Sequence, residues 1–297
     1  MLTSSRSAGE KRFALRERLK ESDPLVLLGA YNAITAMMLE RRAVEGVYVS
    51  GHMIAADMGL PDLGITTITE VASRAGHMAR MVAIPTIVDA DTGFGEPLNL
   101  ARTIQTLEEA GLAACHIEDQ VNPKKCGHSD GIQVVDRTTA IRRVTAAVNA
   151  RRDNQFVIIA RTDARAAMGL EEAISRGKAL RDAGADIIFA EALQGASEYE
   201  RFKAEVDAPL MVNLNESGKL PPLTRRELTD LGIDLAVYPM TLMRLALGAV
   251  ESGISTILRE GSQESLLNQM QTAEELYDYV GYEGYQRFDN QVFEATE

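Results

Sequence analysis

The chain has 297 residues, of which 45% are hydrophobic, and this length suits a single (β/α)8 barrel with short extensions. An excess of 43 Asp and Glu over 31 Lys and Arg gives a formal net charge of -12, which disfavours nucleic acid and anionic membranes as partners. No apolar run approaches the roughly 18 residues of a membrane span, so we expect no membrane partner.

The first segment of the chain is predicted to be a surface helix at about residues 8–20. It has no apolar secretory core, and Glu10, Glu17 and Glu21 argue against a transit peptide. The two cysteines, Cys115 and Cys126, form no CxxC or zinc pattern. We therefore expect reduced thiols and a cytoplasmic location.

Short apolar runs alternate with amphipathic segments along the rest of the chain, which is the pattern of parallel βα units. Eight runs are found: LVLLGA (25–30), GVYVS (46–50), IPTIVDA (84–90), AACHIE (113–118), FVIIAR (156–161), DIIFAE (186–191), APLMVN (208–213) and DLAVYP (234–239). Eight such units close a barrel. The fold class is therefore α/β, a (β/α)8 TIM barrel that forms one domain over residues 1–297.

Residues 241–297 contain more helix than one βα unit consumes, so we predict a C-terminal helical extension. Its closely spaced aromatic residues suit packing either on another subunit or on the chain's own barrel. These residues are Tyr277, Tyr279, Tyr282, Tyr285 and Phe288.

Functional-looking side chains follow or end each predicted strand, at the barrel face where active sites lie. Loops favour polar residues in any case. Three successive strands nevertheless end in charged pairs two residues apart, and that spacing places both side chains on one face. The pairs are Asp89 with Asp91, His116 with Glu118, and Arg161 with Asp163.

Asp89 and Asp91 are candidate metal ligands, because two carboxylates crowded at a strand end are stabilised by a cation. Hard oxygen ligands without a His/Cys cluster favour Mg²⁺, or Mn²⁺, over zinc. Glu118 and His116 are candidates for holding metal-bound water. The alternative is that Asp89 and Asp91 are solvated loop residues.

The loop VNPKKCGHSDG, residues 121–131, predicts a reactive thiol on a lid. Lys124, Lys125 and His128 surround Cys126 with positive charge, which lowers a thiol pKa below about 8.5. Glycines beside the cysteine permit closure over a substrate. Cys115, within an apolar strand, is expected to be core packing.

Arg161 suits bidentate binding of a carboxylate, and Glu191 on the next strand could orient it. A purely structural ion pair with Asp163 or Glu191 is the alternative. Arg244, just after the eighth run, is a candidate for a second carboxylate, although an arginine at a helix start is usually solvated.

Five motifs in this order resemble the isocitrate lyase/phosphoenolpyruvate mutase superfamily over roughly residues 20–290. They are SGHMIAADMGLPDLG, VDADTGFG, HIEDQVNPKKCGH, ARTDA and FAEA. KKCGH is typical of the lyase branch, and YPMTLMRLA with the C-terminal tail is similar to the 2-methylisocitrate lyase group. The resemblance implies a Mg²⁺-dependent cleavage of 2-methylisocitrate to pyruvate and succinate in the methylcitrate cycle of propionate catabolism.

The resemblance also implies roles for individual residues. The metal would lie near Asp62, Asp89, Asp91 and Glu118, with Asp89 closest. Substrate would meet Ser50, Gly51, His52, Asp89, Gly127, His128, Arg161, Asn213 and Arg244. Cys126, Tyr48, Arg161, Glu191 and His128 would be catalytic, with Cys126 protonating the product carbanion and Tyr48 acting as base or proton relay. The family pattern further implies a homotetramer of paired subunits that exchange their last helix.

Three positions depart from the family pattern and leave the exact hydroxy acid open. They are His52, Ile132 and Asn215, and 2,3-dimethylmalate, oxaloacetate or isocitrate remain alternative substrates. A Schiff-base aldolase needs a strand-end lysine, and none of the eight runs contains lysine. A catalytically silent binding barrel is the alternative from another class.

Overall fold

Eight parallel strands form a closed barrel in the computed structural model, which describes residues 4–127, 129, 131–216 and 223–294. Each strand pairs with the next along the chain, and the eighth pairs with the first. One strand lies in each of the eight predicted runs, so the predicted fold class is confirmed. The strands are β1 Leu25–Gly29, β2 Val47–Val49, β3 Thr86–Asp89, β4 Ala114–Glu118, β5 Val157–Thr162, β6 Ile187–Ala190, β7 Leu210–Asn213 and β8 Leu235–Tyr238.

Helices surround the barrel, and the segment after β8 is helical as predicted. The helices are α1 Ala8–Arg18, α2 Ala33–Arg41, α3 Gly51–Asp57, α4 Ile68–Met81, α5 Pro97–Glu109, α6 Arg137–Ala150, α7 Ala164–Met168, α8 Leu170–Asp182, α9 Ala196–Val206, α10 Arg225–Asp230, α11 Thr241–Glu260, α12 Ala273–Tyr279 and α13 Tyr282–Glu294, with a 3₁₀ helix at Glu264–Gln269 between α11 and α12.

Side chains along each strand alternate between the barrel interior and the helical layer, as the two-residue period of a strand requires. On β4, Ala114 packs inside, whereas Cys115 and Ile117 pack outside with residues of α4 and α5. Cys115 is completely buried there, which confirms its predicted role in core packing. The same alternation turns His116 and Glu118 inward, at the carboxyl end of the barrel.

Helix α1 closes the opposite end of the barrel. A capping box between Ser7 and Glu10 starts this helix at Ala8. Leu15 is fully buried and packs with the lowest inward residues, including Leu25 and Leu235. The lower end of the barrel is therefore filled by a side chain from outside the barrel.

Arginines of α1 attach the helix to the segments that precede the strands. Arg12 donates to the carbonyl oxygens of Leu112 and Glu108 at 2.9 and 2.6 Å, and Arg16 donates to that of Gln155 at 3.0 Å. These bonds satisfy the carbonyls of Leu112 and Gln155 just before β4 and β5, and they add a second donor to the Glu108 carbonyl at the end of α5.

Helix α11 corrects the expectation that no segment has the dimensions of a membrane span. Among the described residues it is the single helix whose length and composition would suffice. Its 20 residues are rich in Leu, Ile, Ala and Gly, so the charges of Arg244 and Glu251 do not outweigh the apolar content. Only Met243 and Thr256 of this helix are buried.

Helix α12 of the C-terminal extension packs on α2 of its own barrel. The guanidinium of Arg41 on α2 lies 4.6 Å from the centre of the Tyr279 ring and forms an ion pair with Asp278. Of the two alternatives for the aromatic tail, this arrangement is the one observed within a single chain.

Candidate active site

Asp89, at the end of β3, is a buried carboxylate held by two backbone amides. Its Oδ2 accepts a hydrogen bond from the Gly51 amide at 3.1 Å, and its Oδ1 accepts one from the Asp91 amide at 3.0 Å. Burial opposes its ionisation, but His116, Lys124 and Arg161 outweigh that effect and lower the Asp89 pKa to about 2. Asp89 is therefore an anion at neutral pH.

Gly51 is required for this arrangement because it lies against both carboxylates. A Cβ atom at position 51 would stand 3.0 Å from Asp89 Oδ2 and 3.1 Å from Asp91 Oδ1. Its backbone amide at the start of α3 is thus able to reach Asp89 only because the residue has no side chain.

Asp91 pairs with a lysine that the sequence interpretation used only as a neighbour of Cys126. Lys124 Nζ lies 2.8 Å from Asp91 Oδ1 and also contacts Asp62 Oδ1. The lysine is 3% exposed, so its charge is nearly desolvated. Burial and the charge of Asp89 raise the Asp91 pKa to about 6 despite Lys124. Lys124 is thus a cation in contact with the carboxylates of both Asp91 and Asp62.

An aromatic layer lies beneath the carboxylates. The hydroxyl of Tyr48 is 2.8 Å from Nε2 of His116, and the two rings stack at 5.9 Å. Phe189 meets the His116 ring edge-on at 5.5 Å. Burial lowers the pKa of His116 to about 4 and raises that of Tyr48 well above its ordinary value, so both groups are neutral at pH 7. Tyr48 is therefore suited to donating or relaying a proton rather than to acting as a phenolate base.

Arg161 stands at the centre of three carboxylates. Its Nε and Nη2 donate to the two oxygens of Asp163 at 3.0 and 2.9 Å, and it lies 3.4 Å from Glu118 and 3.5 Å from Glu191. Its guanidinium also lies 5.1 Å from the centre of the Phe189 ring. Burial disfavours the charge, but the three carboxylates raise the Arg161 pKa well above its ordinary value.

Arg161 forms the structural ion pair with Asp163 that the sequence offered as an alternative role. The arginine nevertheless still lines the candidate active site. Asp163 uses one edge of the guanidinium, Nε and Nη2, while Nη1 faces Glu191. Glu191 Oε2 also accepts from Asn213 Nδ2 at 3.3 Å. Arg161, Glu191 and Asn213 thus form a continuous polar wall.

The cysteine loop is closed over this wall. The side-chain amide of Gln120 bonds the backbone of Lys125 in both directions, each at 2.9 Å, and so fixes the start of the loop. Gly127 then passes close to Arg161 and Glu191, where an added Cβ would lie 2.4 and 2.6 Å from their side-chain atoms. Cys126, which is partly exposed, lines the cavity that remains.

That cavity has a volume of about 40 Å³ and is polar. Each water molecule needs roughly 10 to 15 Å³ of such space, so the cavity has room for about three of them. The lining includes the predicted residues Tyr48, Ser50, His52, Asp62, Asp89, Cys126, Gly127, Arg161 and Asn213, together with Asn215, Lys124, Lys125, Pro239 and Met240.

Among the described residues, the predicted substrate ligands Gly51 and Arg244 are not part of this cavity lining. His128 lies outside the described residues, so its predicted roles stay predictions. Arg244 is half exposed at the start of α11 and donates to Glu216 Oε2 at 3.2 Å. Of the departures from the family pattern, Ile132 is buried and Asn215 borders the cavity.

The carboxylates at the ends of β3 and β4 fit a hard divalent cation. Oε1 of Glu118 is buried and has no hydrogen-bond partner within the part of the chain that the structure describes. Asp89 and Asp91 crowd around Gly51 close by. Oxygen donors of this kind suit Mg²⁺ or Mn²⁺.

Comparisons with known proteins give a consistent picture. The sequence model of the phosphoenolpyruvate phosphomutase family matches residues 15–258. The chain is 48% identical to "Probable 2-methylisocitrate lyase 2" of Corynebacterium glutamicum, over 99% of this chain and 95% of that protein. It is 42% identical to 2-methylisocitrate lyase of Aeropyrum pernix, over 95% of this chain and 91% of that protein.

Solved structures show the same likeness in three dimensions. A crystal structure of 2,3-dimethylmalate lyase, described as a PEP mutase/isocitrate lyase superfamily member, is 32% identical to this chain. It superposes with a TM-score of 0.89 over 97% of this chain and 96% of that one.

Proposed function

The chain belongs to the phosphoenolpyruvate mutase/isocitrate lyase superfamily, and we propose that it is a carbon–carbon lyase that cleaves 2-methylisocitrate to pyruvate and succinate. The observation that carries this proposal is the near full-length identity of 42 to 48% with proteins named 2-methylisocitrate lyase. This activity would place the protein in the methylcitrate cycle of propionate catabolism.

We propose Mg²⁺, with Mn²⁺ as an alternative, as the metal. Asp89, Asp91 and Glu118 supply the oxygen donors that support this choice, and Asp62 joins the same network through Lys124. When bound, the ion acts as a Lewis acid that stabilises negative charge on the substrate's hydroxyl and carboxylate oxygens.

The protein's own residues account for the proton transfers and for the binding of the carboxylates. Cleavage breaks the bond between the hydroxyl-bearing carbon and its neighbour. As the carbonyl of pyruvate forms, the hydroxyl proton passes to the Tyr48 hydroxyl, which gives its own proton to Nε2 of His116. The bonding electron pair stays on the succinate fragment, delocalised into its carboxylate. Cys126 then transfers its thiol proton to that carbon.

Arg161 and its partners suit the electrostatic part of this reaction. Its charge is retained at any physiological pH, and Asp163 holds it in one orientation. A fixed, desolvated cation stabilises a developing carboxylate dianion without reorganising during the step. Neutral Tyr48, hydrogen-bonded to His116 below the site, provides the proton relay.

Closure of the loop explains why the intermediate would reach succinate rather than undergo side reactions. Gly127 seals the site against Arg161 and brings the adjacent Cys126 to the cavity. Excluding water leaves the thiol as the proton donor next to the carbanion.

The test measures Mg²⁺-dependent release of 2-keto acid from 2-methylisocitrate, isocitrate, 2,3-dimethylmalate and oxaloacetate. We expect the protein to release pyruvate and succinate from 2-methylisocitrate and to cleave the other three acids much more slowly. Preference for another acid would keep the lyase class and replace the substrate. No turnover of any would contradict the proposal and favour the silent binding barrel.

Cys126→Ser, compared with Cys115→Ser, tests the role of the loop thiol. We expect the first substitution to lower turnover by about 10² to 10⁴-fold, the usual contribution of a positioned proton donor. Cys115→Ser lies outside the site and should retain turnover. Wild-type turnover by Cys126→Ser would remove the cysteine from the mechanism.

We propose a cytoplasmic homotetramer built from pairs of subunits that exchange their last helix. The support is the exposed apolar surface of α11, a feature typical of protein interfaces. It includes Leu245, Leu247, Val250, Ile254, Ile257 and Leu258. Arg244 and Glu251 within α11 would be costly in a bilayer, which favours a protein partner. Sedimentation of the wild type and of Ile254→Glu tests this: a tetramer that dissociates in the variant is expected, and a wild-type monomer would contradict it.

A further inference from the structure

His52 brings an imidazole to the mouth of the candidate active site, beside the loop thiol. Its Nδ1 lies 3.9 Å from Asp62 Oδ2, and donor atoms of His52, Asp62 and Cys126 all lie within 4.8 Å of one another. The other oxygen of Asp62 contacts Lys124, so its two oxygens face different partners. This cluster is distinct from the Asp89, Asp91 and Glu118 group because it contains nitrogen and sulfur donors.

The donor set determines which ion it suits. Imidazole nitrogen, thiolate sulfur and one carboxylate oxygen are ligands of zinc, whereas Mg²⁺ takes oxygen donors. A tetrahedral zinc ion with bonds of 2.0 to 2.3 Å holds its ligand atoms about 3.3 to 3.8 Å apart. Separations of up to 4.8 Å need to contract by at most about 1.5 Å, and His52 at 43% side-chain exposure has room to move.

We propose that His52, Asp62 and Cys126 form an inhibitory site for Zn²⁺, with water in the fourth position. Binding converts the thiol of Cys126 into a zinc-bound thiolate and releases its proton to solvent. A thiolate held by zinc has no proton to give to a carbanion. The inhibition by Zn²⁺ therefore rests on the proposed lyase function, in which Cys126 donates a proton. The binding of Zn²⁺ to the three side chains does not depend on that function.

Cadmium reports on this site without any turnover, because a Cd²⁺–thiolate bond absorbs in the ultraviolet. The full-length protein is titrated with Cd²⁺ in saturating Mg²⁺, which keeps the interior carboxylates occupied. We expect one thiolate-bound Cd²⁺ per chain, displaced by Zn²⁺. Cys126→Ser should lose the band, since Cys115 is completely buried.

Two histidine variants determine whether the site is more than a thiol. His52→Asn removes one of the three donors and should weaken Cd²⁺ and Zn²⁺ binding by about tenfold or more. His77→Asn is the matched control, because His77 is exposed on α4, where its Nδ1 lies 3.4 Å from Arg80 Nη2. Three results would each overturn the site. They are an equal affinity for Cd²⁺ in His52→Asn and the wild type, the absence of the Cd²⁺–thiolate band in the wild type, and the persistence of that band in Cys126→Ser.

Turnover is then measured with Zn²⁺ in the same Mg²⁺ buffer. Each protein's activity is expressed relative to its own rate without Zn²⁺. In the wild type and in His77→Asn, the loss of activity should follow the occupancy of the zinc site. In His52→Asn, the same fractional loss should need about tenfold more Zn²⁺. Full activity with the site occupied would overturn the inhibition. A protein that shows the cadmium band but cleaves none of the four acids would contradict the proposed function and leave the metal site supported.

Discussion

The backbone of Gly127 lies against the guanidinium of Arg161, so closely that a Cβ atom at position 127 would stand 2.4 Å from Nη2. The cysteine loop and the Arg161 cation therefore meet at a position where any side chain would clash. This contact sets how far the loop closes and where Cys126 stops.

Gly127→Ala should accordingly impair closure without unfolding the barrel. Displacing the loop by about 1 Å misplaces the thiol, and a misplacement of that size costs about 100-fold in kcat/KM. Urea unfolding should change much less than kcat/KM, because the substitution falls on a loop and not on a strand or helix of the barrel. Gly59→Ala is a control for a glycine with open space around it, although its positive φ adds some backbone strain. Wild-type kinetics in Gly127→Ala would show that the loop closes differently.

Only one of the two thiols should react in the folded protein. Cys115 is completely buried, and burial raises its pKa far above the ordinary value for a thiol. Cys126 is partly exposed. A chromogenic disulfide reagent should therefore titrate one thiol per native chain and two after denaturation. Modification of Cys115 in the native Cys126→Ser variant would contradict the packing of β4.

Lys124→Gln should destabilise the metal-free protein. It leaves the carboxylates of Asp62 and Asp91 without their cation, and breaking a buried ion pair in this way costs about 3 kcal/mol. Added Mg²⁺ should restore stability more in the variant than in the wild type, because the ion replaces the missing charge and binds only the folded state.

Lys125→Gln is the matched control for Lys124, since Lys125 is its exposed neighbour on the same loop. We expect this substitution to change the free energy of unfolding by less than about 0.5 kcal/mol. Equal stability of the Lys124 and Lys125 variants in metal-free buffer would mean that the buried pairing contributes nothing.

Leu15→Ala should lower stability while leaving the chemistry intact. Leu15 is fully buried at the lower end of the barrel, and removing such a side chain costs about 2 to 5 kcal/mol. Phe13 on the same helix is 56% exposed, so Phe13→Ala should cost much less. Urea midpoints measure the difference. A kcat lowered more by Leu15→Ala than by Phe13→Ala at low temperature would show coupling between the two ends of the barrel.

The fold was predictable because strand and helix periods are local properties of the sequence. Each of the eight apolar runs contains a strand, and the alternation that turns Cys115 outward also turns Glu118 inward. The position of the final helices on α2 was not predictable. It depends on Arg41 meeting Asp278 and Tyr279, residues more than 230 positions away.

The candidate site was predictable in its residues but not in their pairing. Strand-end positions identified Asp89, Glu118, Arg161 and Glu191 without any structure. Lys124 was missed as a site residue because it is on a loop, and whether a loop lysine is solvated or buried is decided by tertiary contacts. The sequence feature that could have indicated a buried Lys124 is the pair of lysines beside Cys126, in a chain whose strands end in acidic residues.

Membrane-span dimensions of α11 were also missed, because its apolar residues are interrupted by Arg244, Glu251 and Arg259. Counting uninterrupted apolar residues underestimates a helix whose average composition is apolar. The exposed side chains of α11 became visible only once the helix was placed outside the barrel.

Closure of the lower end of the barrel by α1 has a kinetic consequence. With Leu15 filling that end, substrate and both products would share the opening that the described residues leave beneath the Cys126 loop. The two products cannot leave in opposite directions, and each turnover must include a separate loop opening. If that opening limits the rate, solvent viscosity will slow kcat, and it will also slow the escape of uncleaved substrate by the same route.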